Sequence, residues 1–407
     1  MKSRLLPFFL LICVFLCACK NELPVEDQMQ EVLDRATARD DVNGASATVI
    51  FPDGDLWNGV SGISHDTVPI EPNMVFAIGS VTKNVVAALT LTLVEEGVFS
   101  LDDPISKWLP SYPHVDDKIT IRQLLNHTSG IFNYFENQEI WDDLMAERTR
   151  YFTPEEILAY IKEPYFEAGQ GWQYSNTNYL LLAMIINQAT GSNLSTELNK
   201  RLWEPLGLSG FYVSLEDELP ENQAHVYSDN WDGPVRDVTF LPRTSHESIG
   251  YGAGGIFTTS ENLARWSDAL FGGEVLEEQS LNEMLDFIEF SPVSNMRGYG
   301  LGAQEFRNTI AYGQYAIGHA GGNIGTSTYM IYLPDHDVSI VVMINAFPSD
   351  GAEEITNGLV KVVLKDLGAY GISSFIKANL PFVIIGISAI AFWAVFITRR
   401  IKKKRQL

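Results

Sequence analysis

Two hairpin signals near opposite ends of the chain constrain its architecture more than any other feature. Near the start, Ala45 to Phe51 and Asp55 to Val60 flank Pro52-Asp53-Gly54, a turn sequence between two strand-like runs. Near the end, Ser327 to Leu333 and Val338 to Asn345 flank Pro334-Asp335-His336-Asp337. Between them the pattern is mostly helical and irregular. One helix start is explicit at Thr153-Pro154-Glu155-Glu156, with a cap, a proline at the first helical position and a glutamate three residues after the cap. A last helical stretch covers about Glu353 to Leu367. Strands at both ends with helices inserted between them predict one antiparallel sheet, closed by both ends of the chain, flanked by helices and joined to a mainly helical subdomain. That is an α+β fold. Its body of roughly 350 residues is long enough for a large core or for two closely packed subdomains.

Charge separates the body from the ends. The 407 residues carry 28 Lys plus Arg against 51 Asp plus Glu, a formal −23 that argues against an extended nucleic-acid surface. Lys2 and Arg4 precede the apolar run Leu5 to Leu16, and Arg399, Arg400, Lys402, Lys403, Lys404 and Arg405 follow the apolar run Leu380 to Ile397. The stretch from Cys19 to Thr398 is therefore much more acidic than the whole, at −31. The basic, then apolar, start reads as an export signal over 1–18. Leu16-Cys17-Ala18-Cys19 resembles the lipobox of bacterial lipoproteins, and that resemblance implies lipidation of Cys19; a leader with incidental cysteines is the alternative. Cys13, Cys17 and Cys19 are the only cysteines, so a lipidated product would form no internal disulfide. Leu380 to Ile397, followed by the basic cluster, predicts one transmembrane helix over 380–398 and a cytoplasmic tail over 399–407. A domain over 19–368 and a linker over 369–379 complete the expected layout. It places the domain outside the cytoplasmic membrane of a bacterium, with that membrane as a partner.

The chemistry-bearing stretch is Phe76-Ala77-Ile78-Gly79-Ser80-Val81-Thr82-Lys83, which leads into an alanine- and leucine-rich helical run terminated at Gly97. If Ser80 opens that helix, Lys83 lies one turn later on the same face. A desolvated lysine loses its proton more readily and accepts the serine hydroxyl proton, while the helix amino terminus favours developing negative charge. Alone, the pattern also fits a helix cap beside a solvated lysine. The same spacing recurs at Ser374 and Lys377, where it reads as linker.

Further segments in the same order resemble the serine beta-lactamase and penicillin-binding superfamily, specifically the branch of class C beta-lactamases, D-alanyl-D-alanine carboxypeptidases and esterases. Ser80-Val81-Thr82-Lys83 is similar to the first motif of that family, Tyr174-Ser175-Asn176 to the second and His319-Ala320-Gly321 to the third. Leu124 to Gly130 and Gly252-Ala253-Gly254-Gly255 with Thr258-Thr259 resemble further family segments, and the likeness covers about residues 30 to 365. The resemblance implies a beta-lactamase/transpeptidase-like fold. It implies Ser80 as the acylated nucleophile, Lys83 as its activating partner and Tyr174 as a proton relay whose pKa an ammonium would lower. It further implies Asn176 as a hydrogen-bond partner of Lys83 and the substrate amide. His319 would lie on an edge strand, binding a carboxylate or orienting Tyr174, while Gly321 would keep that strand flat for substrate. The backbone amides of Ser80 and Gly322 would form the oxyanion hole.

Taken singly, Tyr174 is a half-buried aromatic, Asn176 a turn former and His319 a packed histidine. His127 precedes the turn-like Thr128-Ser129-Gly130 and reads as structural. The histidines show no metal-ligand spacing, so neither a metal nor a cofactor is expected. The implied activity is a membrane-anchored serine hydrolase working through an acyl-serine on a small peptide, ester or beta-lactam. The His-x-Gly third motif departs from the lysine form usual in class C beta-lactamases and resembles that of carboxypeptidases and esterases. Beta-lactamase activity is one alternative; a non-catalytic sensor or scaffold that binds cell-wall fragments is the other.

Overall fold

The computed structural model describes residues 23–229, 234–239, 241–290, 296–306 and 310–371. Along the chain run helix α1 (Val25–Thr37), strands β1 (Gly44–Ile50), β2 (Leu56–His65) and β3 (Val68–Pro69), and helix α2 (Thr82–Glu95). Helices α3 (Asn176–Thr190), α4 (Thr244–Gly254) and α5 (Ser260–Phe271) follow. Then come strands β4 (Ile288–Glu289), β5 (Met296–Tyr299), β6 (Gln304–Phe306), β7 (Ile317–Asn323), β8 (Thr326–Leu333) and β9 (Val338–Ile344), and helix α6 (Gly351–Asp366). Shorter helices and turns fill the stretch between α2 and α4.

Among the described residues, nine strands form one sheet in the order β3-β2-β1-β9-β8-β7-β6-β5-β4. Both expected hairpins are present, with Ile50 opposite Leu56 and Leu333 opposite Val338. The two ends of the chain meet where β1 and β9 pair antiparallel, Ala45 opposite Ile344. Every residue of β1 and of β9 is buried, because helices cover the sheet on both faces. Val338, Ile340, Val342 and Ile344 pack with Ala45, Ala47 and Val49 against Met29 and Leu33 of α1 and Ile355, Leu359 and Val363 of α6. The alternate residues Val341 and Met343 face the larger cluster, which includes Leu89 of α2, Leu181 of α3 and Trp266 of α5. On that face the hydroxyls of Ser46 and Thr48 bond to Ser260 Oγ at 2.8 and 3.0 Å, tying the start of α5 to the sheet.

The capping box expected at Thr153 is present. Thr153 Oγ1 accepts from the Glu156 amide at 3.2 Å, and Glu156 Oε2 accepts from the Thr153 amide at 2.9 Å. Thr153→Ala is expected to lower unfolding stability by about 1 kcal/mol in a urea titration, the usual loss for a helix N-cap.

The membrane expectation is corrected. Among the described residues no helix is long and apolar enough to cross a membrane. The most apolar helices, α2 and α3, have 14 and 15 residues and are buried on nearly every side in the protein core. At 1.5 Å per residue each is about 22 Å long, short of a bilayer core of about 30 Å. The leader, Cys19, the span at 380–398, the tail at 399–407 and the Ser374/Lys377 pair lie outside the described residues. The anchored topology, the membrane partner and the localisation drawn from them have no support among the described residues.

Candidate active site

Ser80 sits in a tight turn, Gly79–Val81, that runs directly into α2. Gly79 has φ +53°, a conformation that favours glycine. The turn lies backbone to backbone against β7. A Cβ on Gly79 would stand 2.4 Å from the Gly322 carbonyl oxygen, and one on Gly321 would stand 2.1 Å from Ile78 O and 2.9 Å from Ser80 N. Gly321 thus admits the close approach of the serine turn itself. Ser80 and Gly322 line the same cavity, as an oxyanion site between their amides requires.

Lys83 follows one turn later and is fully buried. Its Nζ donates to the Ala253 carbonyl at 2.7 Å and is in hydrogen-bond contact with Ser80 Oγ at 3.0 Å. Burial, with no carboxylate to oppose it, pushes the amine well below its ordinary pKa. The carbonyl is presented by the glycine-rich end of α4, where Tyr251 at φ +24° breaks the helical path. Gly252 packs so closely on α3 that a Cβ there would meet Tyr179 O and Ala183 Cβ, each at 2.7 Å.

Tyr174 closes the group. Lys83 Nζ lies 4.8 Å from the centre of its ring. Burial raises the phenol, and a hydrogen bond with the Ser80 hydroxyl opposes that shift without reversing it. The expected lowering of Tyr174 is therefore corrected. Burial disfavours the charged form of both groups.

Asn176 opens α3 and lines the cavity, but its amide Nδ2 donates to Asn133 Oδ1 at 3.3 Å. Its expected bond to Lys83 is replaced by that of the Ala253 carbonyl. His319 is fully buried on β7, at the point where the pairing with β6 has ended at Gly318 and only β8 continues alongside. Its Nδ1 faces the Ala320 carbonyl at 2.6 Å and its Nε2 the Tyr299 hydroxyl at 3.1 Å. Burial, reinforced by Lys83, lowers its pKa to about 3. Both ring nitrogens are thus engaged within the protein.

His127 packs beneath the second motif. Its buried Nδ1 accepts from the Ser175 amide at 3.2 Å and the Asn178 side chain at 3.0 Å, and its ring lies 4.4 Å from that of Tyr174. It thus ties the irregular segment that carries Tyr174 to the start of α3. Sequence reasoning missed the Ala253 carbonyl, Tyr299 and Asn133. The glycine-rich segment around Ala253 was a usable signal; Tyr299 and Asn133 carry none, because only the tertiary fold brings them to the site. Among the described residues no cluster of three or more His, Cys, Asp or Glu is arranged to hold a metal.

Half-buried Ser80 and fully buried Lys83 at a helix start, with Tyr174 beside them, stand at a cavity with apolar side chains in its wall. The family model described as Beta-lactamase matches residues 29–365, and the chain belongs to that family. It is 29% identical over 302 residues to a penicillin-binding protein of Bacillus subtilis (strain 168), covering 68% of this chain and 62% of that protein. The chain thus spans about three fifths of that relative's length. It is also 29% identical to esterase EstB of Burkholderia gladioli, over 60% of this chain and 69% of the esterase. A D-stereospecific amidohydrolase from a Streptomyces species superposes with a TM-score of 0.72 at 32% identity, over 82% of this chain and 97% of the other. The D-amino acid amidase of Ochrobactrum anthropi does so with a TM-score of 0.73 at 26% identity, over 85% and 99%.

Proposed function

We propose that the chain is a serine hydrolase that works through an acyl-Ser80 intermediate, in the carboxypeptidase- and esterase-like branch of its family. The observation that carries this reading is the 3.0 Å contact between Ser80 Oγ and Lys83 Nζ, with the amine fully buried. Neutral Lys83 takes the Ser80 proton as Oγ attacks the substrate carbonyl. The Ser80 and Gly322 amides stabilise the oxyanion. Tyr174, held as a phenol, gives its proton to the leaving group and recovers one from the Lys83 ammonium. Water then releases the acyl group, the same pair moving the proton. His319, Tyr299 and His127 keep the phenol in place. An ester- or amide-cleaving role is favoured over beta-lactam or carboxylate recognition, because His319 offers no cation.

The direct test is labelling by a fluorophosphonate and by a fluorescent penicillin, compared with Ser80→Ala. Labelling of the parent protein alone is expected with the fluorophosphonate. Failure of both probes on folded protein would remove the acyl-serine reading and favour a binding role without catalysis.

The pH profile follows from the same geometry. The reactive form carries a neutral Lys83, so kcat/KM is expected to rise with pH through the depressed lysine pKa and then level off. With its pKa near 3, His319 stays neutral over that range and contributes no limb. A profile whose rising limb survives in Lys83→Met would assign the base elsewhere.

A further inference from the structure

Beside Ser80 lies a cavity of about 220 Å³. That is below the roughly 300–1,000 Å³ of sites that hold drug-sized ligands. Phe135, Trp141, Ile324 and Phe347 supply most of its wall, and no Lys, Arg, Asp or Glu stands among the described residues that line it. Its polar members are the amides of Asn176 and Asn323 and the ring of His246, whose pKa burial holds below its ordinary value. Arg243 reaches the wall at Asn323 Oδ1, 3.3 Å away, but its guanidinium is paired with Glu247 Oε1 at 2.7 Å. Ser80 and Gly322 line the cavity and Tyr174 does not. Resting on the acyl-serine reading, in which the leaving group departs on the Tyr174 side, the cavity holds the part of the substrate that stays on Ser80.

We infer that the acyl group transferred to Ser80 is uncharged, aromatic or branched apolar, and about the size of a single residue. A carboxylate on that group would lose its water without gaining a cation. Phe135, Trp141 and Phe347 suit an aromatic ring. Asn323 is engaged at both Oδ1 and Nδ2, so a hydrogen bond for one neutral polar group falls to Asn176, which is engaged through Nδ2. The cavity itself, at about 220 Å³, accommodates a group of that size.

The test compares 4-nitrophenyl esters of phenylacetic, acetic and succinic acid, the last carrying a free carboxylate, alongside fluorophosphonate labelling of Ser80. Phenylacetyl is expected to exceed succinyl in kcat/KM by about 100-fold, the scale set by leaving one charge buried and unpaired. Trp141→Ala is expected to lower the phenylacetyl-to-acetyl ratio by about tenfold, the scale of lost pocket contacts. Should that variant fail to fold, Phe347→Arg, at a rim position that is 36% exposed, carries the same test by shifting preference toward succinyl. Equal rates for phenylacetyl and succinyl in a protein that labels at Ser80 would overturn the inference alone. Neither labelling nor turnover of any ester would overturn both the inference and the reading beneath it.

Discussion

Lys83→Met is expected to lower kcat/KM by about 10⁴-fold, the scale of losing a general base that acts together with its nucleophile, while the protein remains folded. The stability side follows from two opposing terms. Methionine matches the length of the buried stem and removes an amine whose charged form is costly to desolvate. It also leaves the Ala253 carbonyl without the bond it accepts at 2.7 Å. An unsatisfied buried acceptor costs about 1–3 kcal/mol, so the net change is expected to lie within about 2 kcal/mol of the parent. Linkage gives a second signature. Between the depressed folded pKa of Lys83 and its ordinary value, the unfolded chain binds a proton that the folded chain does not. Stability of the parent therefore rises with pH across that window, by up to about 1.4 kcal/mol per pH unit, and loses this gain as pH falls. Lys83→Met is expected to remove that slope. Denaturant titrations at several pH values check it, and an unchanged slope would mean that the buried amine keeps its proton.

Gly321→Ala is expected to lower the rate of fluorophosphonate labelling by at least about 10²-fold, because displacement of reacting groups by about 1 Å has that effect. The new methyl carbon would stand 2.1 Å from Ile78 O and 2.9 Å from Ser80 N, and both obstacles are backbone. No side-chain rotation relieves such a contact, so either β7 or the serine turn moves. Strain of this kind costs about 1–3 kcal/mol, so a lower Tm is expected alongside the slower labelling. Labelling at the parental rate would show that the serine turn tolerates the shift and would remove Gly321 from the residues that position Ser80.

The elements that the sequence disclosed were those whose signals are local. Pro52-Asp53-Gly54 and Pro334 to Asp337 fix two hairpins, and Thr153 with Glu156 fixes a helix start, because turn and cap chemistry is complete within a few residues. The Ser80-Lys83 pair was legible for the same reason: one helical turn sets their separation. Tyr174, Asn176 and His319 were legible as motif members, but not their electrostatics. Whether Tyr174 titrates low or high depends on whether Lys83 is charged. That in turn depends on the burial of α2, which is contributed by distant segments. The terminal apolar runs lie outside the described residues, and among those residues no helix is long and apolar enough to cross a membrane.

The sequence by itself determined which groups do chemistry and the order in which the chain delivers them. It placed a serine and a lysine one turn apart and a tyrosine before a second helix, and it set a glycine pair after a histidine within a sheet closed by both ends of the chain. Only the tertiary structure decided their states. Packing buries Lys83 fully and Tyr174 in part, sets His319 between Tyr299 and a backbone carbonyl, and lays an apolar wall beside Ser80. The physical reason is that covalent spacing fixes distances along a helix or strand, whereas desolvation depends on every neighbour that folding brings near.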